Sequence, residues 1–523
     1  MISGKSIARG ALVVMAATLL SRLFGFIREM EIAGHFGLKG ATDAYLVAFS
    51  IPSAVGLAVA AAVSAGFIPV LNGYLVHNDV ENAGKVANTL LNSIFIFLIA
   101  IAGLGVLFAP ALAARLAPGF DADSVRLTAG LIRLMFPGLV FVGLTGIASG
   151  YLNSRQHFLT PALAPMVTSI VVIISIIILG PSQGIKGLAI GTLAGFTCQL
   201  LIQLPVMYKK GFRYRLEFSL RHPGVVKVFK LMLPVLVGSM VPSIMLVIER
   251  GLASGLDVGS IAALNYAFRL MQLPQGLFVM AVSIPLFPAL SSLAAQKDLT
   301  RLKEIMVKGI NVLALIMIPA TAGLIALDEP IVRLLFQRGA FEAKDTVPTA
   351  YALAFYALAL LPLAVRDIFR RSFYALQDTF TPVTLTLLGF FVNIVLDLMF
   401  IKFFGLGGLA LGASLSIAVE AVILYFMLNR KLTRLPGRSL ITAFLKLAAA
   451  SLIMGLAAYY VSGIIGSLVD LQTVRGRMAQ VGLSVVAGLL VYLAAVVSFR
   501  VREVWEVLHM ASGYWRKLVR GTR

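Results

Sequence analysis

The sequence predicts an all-α polytopic membrane protein with about 14 transmembrane helices: two parallel six-helix lobes related by a pseudo-two-fold axis along the membrane normal, plus two extra C-terminal helices. Three observations predict it. The chain of 523 residues is 59% hydrophobic and only 13% charged, where a soluble domain carries roughly 25% charged residues. Apolar stretches long enough to cross a hydrocarbon core of about 30 Å, which takes roughly 20 helical residues, recur from end to end without strand-like alternation. Short motifs then recur at a near-constant spacing of 219 to 221 residues.

In order, the candidate spans are approximately 10–34, 43–74, 84–112, 125–152, 160–180, 186–208, 228–253, 260–293, 305–327, 347–374, 380–403, 408–429, 440–463 and 477–499. The basic start (Lys5, Arg9) runs into an apolar stretch without a small-residue cleavage site, so it reads as a retained first helix. With the N-terminus cytoplasmic, an even number of spans returns the C-terminus to the cytoplasm. Lys209, Lys210, Arg213, Arg215, Arg221, Lys227 and Lys230 then face inward, as do Lys297, Arg301 and Lys303, Arg430, Lys431, Arg434 and Arg438, and the tail from Val501, with Trp505 and Trp515. Basic residues gathered in loops of one parity account for the net charge of +21 by the positive-inside rule, which removes the case for nucleic acid.

The repeat fixes the organisation. Gly187-Leu188-Ala189-Ile190-Gly191 returns as Gly408-Leu409-Ala410-Leu411-Gly412, Thr160-Pro161 as Thr381-Pro382 and Gln156 as Gln377, all 221 residues on. Ala48-Phe49, Ser64 and Pro69 return as Ala267-Phe268, Ser283 and Pro288, 219 residues on. The expected domains are 1–210 (helices 1–6), a basic linker 211–227, 228–430 (helices 7–12), 431–500 (helices 13–14) and the basic tail 501–523. Six is even, so both lobes share one orientation, the arrangement of a carrier that alternates access by rocking.

Enzyme signals are nearly absent. The five histidines (His35, His77, His157, His222, His509) have no metal-ligand spacing, Cys198 is the sole cysteine, and no P-loop, G-x-S-x-G or H-E-x-x-H occurs. Transport would then draw on a gradient, the membrane potential or downstream consumption of the substrate. Charges inside spans carry the rest. On helix 1, Arg22 and Glu29 lie seven apart and so nearly on one stripe, Arg28 shares a stripe with Ser21, and Gly25 leaves room for a close approach. Arginine at mid-bilayer costs at least about 2.5–3.5 kcal/mol, so such residues need partners or a water-filled cavity. Guanidinium groups stay charged and bind phosphate bidentately, so Arg22, Arg28 and Arg269 would clamp a diphosphate. The alternative is that Arg28 pairs with Glu29, and Arg269 with Glu249. Asn393 and Asp397, four apart on helix 11, share a face, with Glu249 and Ser414 at similar depth; these oxygen ligands suit Na⁺ or a proton, or else form a structural hydrogen-bond cluster. Glu420 is a lone carboxylate in helix 12, either a proton site or an arginine's partner. Arg366, Asp367, Arg370 and Arg371 fall where side chains reach the interface, so they read as snorkelling anchors, with admission of an anionic headgroup as the alternative.

Ser21-Arg22-x-x-Gly25-x-x-Arg28-Glu29, followed by Ala41-Thr42-Asp43-Ala44-Tyr45, resembles the opening of the MurJ/MviN lipid II flippases, part of the multidrug/oligosaccharidyl-lipid/polysaccharide exporter superfamily. Ala117-Pro118-Gly119-Phe120, Asn265 to Met271 and Leu335 to Phe341 look like further signatures of that family, and the resemblance covers essentially the whole chain. It implies lipid II, an undecaprenyl-diphosphate glycopeptide, as substrate. It also implies that Arg22, Arg28 and Arg269 are cavity arginines, that Asp43 is an important helix 2 residue, that Glu249, Asn393, Asp397 and Ser414 hold Na⁺, and that helices 13 and 14 form a groove for the lipid tail. Membrane lipids and cell-wall synthesis enzymes are the implied partners. Helix 2 departs from the pattern: Ala48 to Gly56 lacks the basic residue and arginine that commonly flank its proline, and Ala60-Ala61 replaces an acidic residue. The rivals are a flippase for another polyprenyl-diphosphate glycan, a drug/cation antiporter, and a non-transporting scaffold of cell-wall synthesis.

Overall fold

A computed structural model describes residues 4–432 and 437–500, and their regular structure is helical throughout. The basic tail from Val501 lies outside the described residues. The helices are α1 (Gly4–Phe36), α2 (Gly40–Val76), α3 (Val80–Leu107), α4 (Ala109–Leu116), α5 (Ala122–Met135), α6 (Gly138–Ser154), α7 (Leu159–Gln183), α8 (Ile185–Leu201), α9 (Leu204–Lys209) and α10 (Pro223–Ala253). They continue as α11 (Ser260–Pro274), a π-helical segment Gln275–Val279, α12 (Met280–Ala295), α13 (Leu299–Ala326), α14 (Asp328–Phe336), α15 (Ala343–Ala357) and α16 (Leu360–Ala375). The last four are α17 (Phe380–Phe404), α18 (Leu406–Lys431), α19 (Gly437–Leu468) and α20 (Val474–Ser498).

Among the described residues, 12 helical segments are long and apolar enough to cross a membrane, or 13 if the bent pair α5–α6 is one span. Every span expected from the sequence coincides with one of these or with α1. Helix α1 is not among them, and carries Arg22, Arg28 and Glu29 in its second half.

The chain divides into two compact units. The first runs to Ala262 and takes in Arg338–Phe341, whose Ala340 N–H donates to the Gly34 carbonyl at 2.6 Å. Its core joins Phe67 and Leu71 of α2, Leu90 and Leu98 of α3, and Leu139 and Tyr151 of α6 to Val225, Val228 and Met232 of α10. Helix α10, which the repeat assigns to the second lobe, thus packs along α2: a Cβ on Gly66 would lie 2.9 Å from the Val228 carbonyl oxygen. The basic linker is extended and clipped to α3, where Asn88 donates to Arg213 O and accepts from Arg215 N, both at 3.0 Å. Asn92 donates to Glu217 O at 3.0 Å, and Thr89 accepts from Ser219 N at 3.1 Å. Side-chain amides and a hydroxyl thereby satisfy backbone groups that no helix pairs.

The second unit holds Ala263–Gln337 and the chain from Glu342 onward. One of its cores gathers Ala314 of α13, Leu447, Ala450 and Met454 of α19, and Tyr492 of α20, whose hydroxyl donates to Leu315 O at 2.9 Å. Arg477, at the start of α20, is buried and donates to the Leu471 and Gln337 carbonyls at 2.7 and 2.5 Å.

The duplication is written into the backbone of each unit. Positive φ outside glycine is uncommon, yet it occurs at Asn78 (57°) and Lys297 (59°), 219 apart, and at Gln156 (58°) and Gln377 (60°), 221 apart. Gly184 and Gly405 share φ 55°. Asp79 caps α3 through Asn82 N at 3.1 Å, and Asp298 caps α13 through Arg301 N at 3.0 Å. The paired glycines of G-L-A-x-G explain themselves sterically: a Cβ on Gly187 would lie 2.9 Å from Leu179 O, and one on Gly408 would lie 2.3 Å from Phe400 O. Both obstacles are backbone of the preceding helix. Gly408→Ala is therefore expected to cost about 1–3 kcal/mol and to lower the thermal midpoint more than Gly187→Ala does; equal midpoints in detergent would refute the steric account.

The repeated turn before α7 and α17 carries opposite electrostatics. His157 Nε2 meets Thr160 Oγ1 at 2.7 Å, while Asp378 Oδ2 accepts from Thr381 Oγ1 at 2.7 Å and from the Lys431 ammonium. Burial first, then the charge of Lys210, holds the His157 imidazole below its ordinary value. Burial would raise Asp378, but the bonds from Lys431 and Thr381 outweigh it and hold the carboxyl at about 2. Both native groups bind protons more weakly than their unfolded counterparts, so both contribute stability that disappears on acidification. The His157 contribution is lost below about pH 6.5, whereas that of Asp378 persists to below about pH 4. Hydrogen exchange, corrected for intrinsic rate, should show the His157 turn loosening between pH 7 and 5 while the Asp378 turn stays protected.

Candidate functional site

Helix α1 carries the first group of charges. Arg22 is exposed, Arg28 partly buried and Glu29 buried. Adjacent residues on a helix do not normally face each other, yet the Arg28 guanidinium folds back so that Nη2 donates to Glu29 Oε1 at 2.8 Å. The pairing alternative is thus realised for Arg28, but it leaves a donor over: Arg28 Nε is buried and bonds nothing among the described residues. A buried donor left unmade costs about 1–3 kcal/mol, and an anion at this site would recover it. Ser21 is committed elsewhere, donating to Ala162 O on α7 at 2.7 Å. Gly25 faces the same helix, with Ser169 Oγ 4.0 Å from where its Cβ would be, so the close approach it permits is that of α7.

Asp43 is 3% exposed, and both its oxygens are engaged. Oδ2 accepts from Gly259 N at 2.7 Å and Oδ1 from Ala262 N at 2.8 Å. These are orphan donors of the first turn of α11, so Asp43 is a capping strut between distant stretches of chain. Nearby, Arg250 of α10 is 7% exposed and donates to the Leu46 carbonyl and, at 2.6 Å, to Ser50 Oγ, strapping α10 to α2 just before Pro52. No local pattern in the sequence marks either role. Arg269 is half-buried on α11 in the second unit, its Nη1 3.4 Å from Gln272 Oε1.

The oxygen cluster is only partly assembled. Asn393 and Asp397 are buried on one face of α17, with Asn393 Nδ2 donating to Asp397 Oδ1 at 3.1 Å. Gly412 of α18 lies directly opposite: its Cβ would fall 2.2 Å from Asp397 Oδ1. Ser414 faces another way, its hydroxyl 2.8 Å from Phe355 O on α15 and 2.9 Å from Ala410 O. Glu249 sits on α10, in the first unit. Among the described residues, no three His, Cys, Asp or Glu side chains converge as a metal site.

The snorkelling expectation for Arg366 and Arg370 is corrected. Both turn inward onto Glu420, whose side chain is 4% exposed: Arg366 Nη1 lies 3.0 Å from Oε2, and Arg370 Nη2 and Nε lie 2.5 and 3.1 Å from Oε1. Arg370 Nη2 also donates to Thr386 Oγ1 at 2.9 Å. Of the two readings of Glu420, the structure realises the arginine's partner; the partners lie 54 and 50 residues apart in sequence, so distance to a helix end does not show which arginine it takes.

The family model described as lipid II flippase MurJ matches residues 32–474. A curated relative from Burkholderia cenocepacia, named lipid II flippase MurJ, is 30% identical over 456 residues, covering 85% of this chain and 88% of its own. A solved structure described as lipid II flippase MurJ in an inward closed conformation superposes with TM-score 0.80 at 26% identity, covering 94% of this chain and 99% of that one. An inward-facing multidrug-resistance MATE transporter superposes at TM-score 0.68 and 17% identity, a likeness of fold alone, over 81% of this chain and 98% of that one.

Proposed function

The chain belongs to the MurJ lipid II flippase family, and from that premise we propose that it carries lipid II from the inner to the outer leaflet of the bacterial cytoplasmic membrane by alternating access. It does so as a transporter, with no catalytic residues of its own. The observation that supports this most is on α1: an apolar helix that keeps Arg22 exposed and leaves Arg28 with a buried N–H to spare beyond its bond to Glu29. Arg22, Arg28 and Arg269 bind the diphosphate, the two six-helix lobes rock about it, and helices 13 and 14 (α19 and α20) hold the lipid tail. Both termini are cytoplasmic. An inside-negative potential favours outward movement of negative charge by about 2.3 kcal/mol per unit charge per 100 mV. Na⁺ resets the empty carrier through Asp397 and Asn393, the two oxygen ligands of the expected set that share one face of α17. Cell-wall synthesis enzymes are the partners that would consume the product.

Depletion of the protein in cells tests the reading: lipid II should vanish from the outer leaflet and build up inside. Normal lipid II display would sink it, and failure of a different polyprenyl-linked glycan to cross would move the substrate to that glycan, as the helix 2 departures allow. Purified protein in liposomes, with and without Na⁺, then separates the coupling ion from the potential.

A further inference from the structure

The arginine pair on α16 carries more charge than its structural partner neutralises. Arg366 and Arg370 share the single carboxylate of Glu420, so the cluster keeps one positive charge. Nε and Nη2 of Arg366 and Nη1 of Arg370 bond nothing among the described residues. The two side chains retain 21% and 24% exposure. The cluster also lies within the spans: Arg366 precedes the end of α16 by nine residues and Glu420 the end of α18 by eleven, which places them roughly 14–16 Å from the helix ends. That end is the one the basic-loop pattern assigns to the cytoplasm.

The counterpart positions of the first unit carry no charge. At the 221-residue spacing, Arg366, Arg370 and Glu420 correspond to Thr145, Ser149 and Gln199. The first unit packs the same positions with neutral hydrogen bonds: Thr145 to Phe141 O at 2.8 Å, Ser149 to Gln203 Oε1 at 3.0 Å and Thr168 to Gln199 Oε1 at 2.7 Å. Even the across-helix contact is kept, since Gly389 stands where Thr168 does and its Cβ would meet Glu420 Oε2 at 3.5 Å. Burying ions instead of such bonds carries a desolvation penalty without a matching gain in stability. A charge retained where the sister unit does without it points to a ligand.

We propose that Arg366 and Arg370 form a second diphosphate subsite, on the entry side of the second unit, in which Glu420 is the counter-ion that holds the guanidiniums until a phosphate displaces it. This deepens the substrate reading above and rests on its diphosphate, not on its glycan. Bidentate guanidinium donors match two phosphate oxygens as they match a carboxylate.

The test uses the full chain in nanodiscs, with inorganic pyrophosphate as probe and binding read by calorimetry. Glu420→Gln keeps size and hydrogen bonding but removes the competing charge, and should strengthen pyrophosphate binding roughly tenfold. Arg366→Gln/Arg370→Gln should weaken it at least roughly tenfold. Undecaprenyl diphosphate should displace the probe from the unmodified chain. Should the double variant not fold, the Glu420→Gln result decides alone: binding no tighter than that of the unmodified chain overturns the proposal. Pyrophosphate that binds but is not displaced by the lipid overturns it as a substrate subsite. Because the probe has no glycan, loss of lipid II transport with this binding intact would count against the lipid II reading and not against the subsite.

Discussion

Arg28→Gln is expected to reduce lipid II transport roughly ten- to hundredfold, the loss that follows from one charge-assisted hydrogen bond worth about 1.5–3 kcal/mol in the bound state. Two roles of Arg28 have to be separated, because the guanidinium also neutralises Glu29, which is 5% exposed. Removing Arg28 alone takes a bonded cation away from a buried carboxylate, which destabilises the helix whatever the ligand does. The informative comparison is therefore Arg28→Gln/Glu29→Gln, which removes both charges and keeps both side chains close in size. If Arg28 serves the substrate, this double variant melts near the unmodified chain but does not transport. A double variant that both folds and transports would reduce Arg28 to a strut. Glu29→Gln alone frees the arginine and should keep transport within a few-fold. The same logic applied to Arg269→Ala, read by transport in liposomes and by melting, tests the arginine contributed by the second unit.

Asp43→Ala is expected to have the largest effect on stability. Both carboxylate oxygens accept backbone N–H groups at 2.7 and 2.8 Å in a site only 3% exposed. Losing two bonds to a charged acceptor, each worth about 1.5–3 kcal/mol, and stranding the donors should cost about 3 kcal/mol or more. Asp43→Asn keeps one acceptor oxygen and should lose about half as much. Limited proteolysis should find the Gly255–Ser260 stretch cut first in the alanine variant; a variant that melts normally but fails to transport would instead make Asp43 a substrate residue.

These two residues also mark how far sequence reasoning reached. Span positions were legible because hydropathy is local, and the duplication was legible because its turns depend on a few residue types: Gly184 and Gly405 at φ 55°, and Gln156 and Gln377 near 60°. The Arg28–Glu29 pair was foreseen as an alternative, since the partners are neighbours in sequence. Asp43 was singled out only through the family resemblance; nothing at positions 41–45 says that the carboxylate caps a helix 216 residues later. Arg366 and Arg370 were misplaced for a physical reason. Distance to a helix end decides whether an arginine can reach the interface, but Glu420, legible in the sequence as a proton site or an arginine's partner, offers a nearer partner whose match with Arg366 and Arg370 no one-dimensional pattern contains. Ser414 was grouped with Asn393 and Asp397 by depth alone, and helix rotation, which depth does not specify, turns it toward Phe355.

The matched turns of the two units have a practical consequence. At aligned positions, this chain contains its own reference sequence: Thr145 beside Arg366, His157 beside Asp378, Gln199 beside Glu420. Replacing a residue by its counterpart 221 positions away asks what distinguishes the two copies, at turns whose backbone angles already agree. Loss of transport after such an exchange reports specialisation, and loss of folding reports co-dependence with neighbours that diverged alongside it.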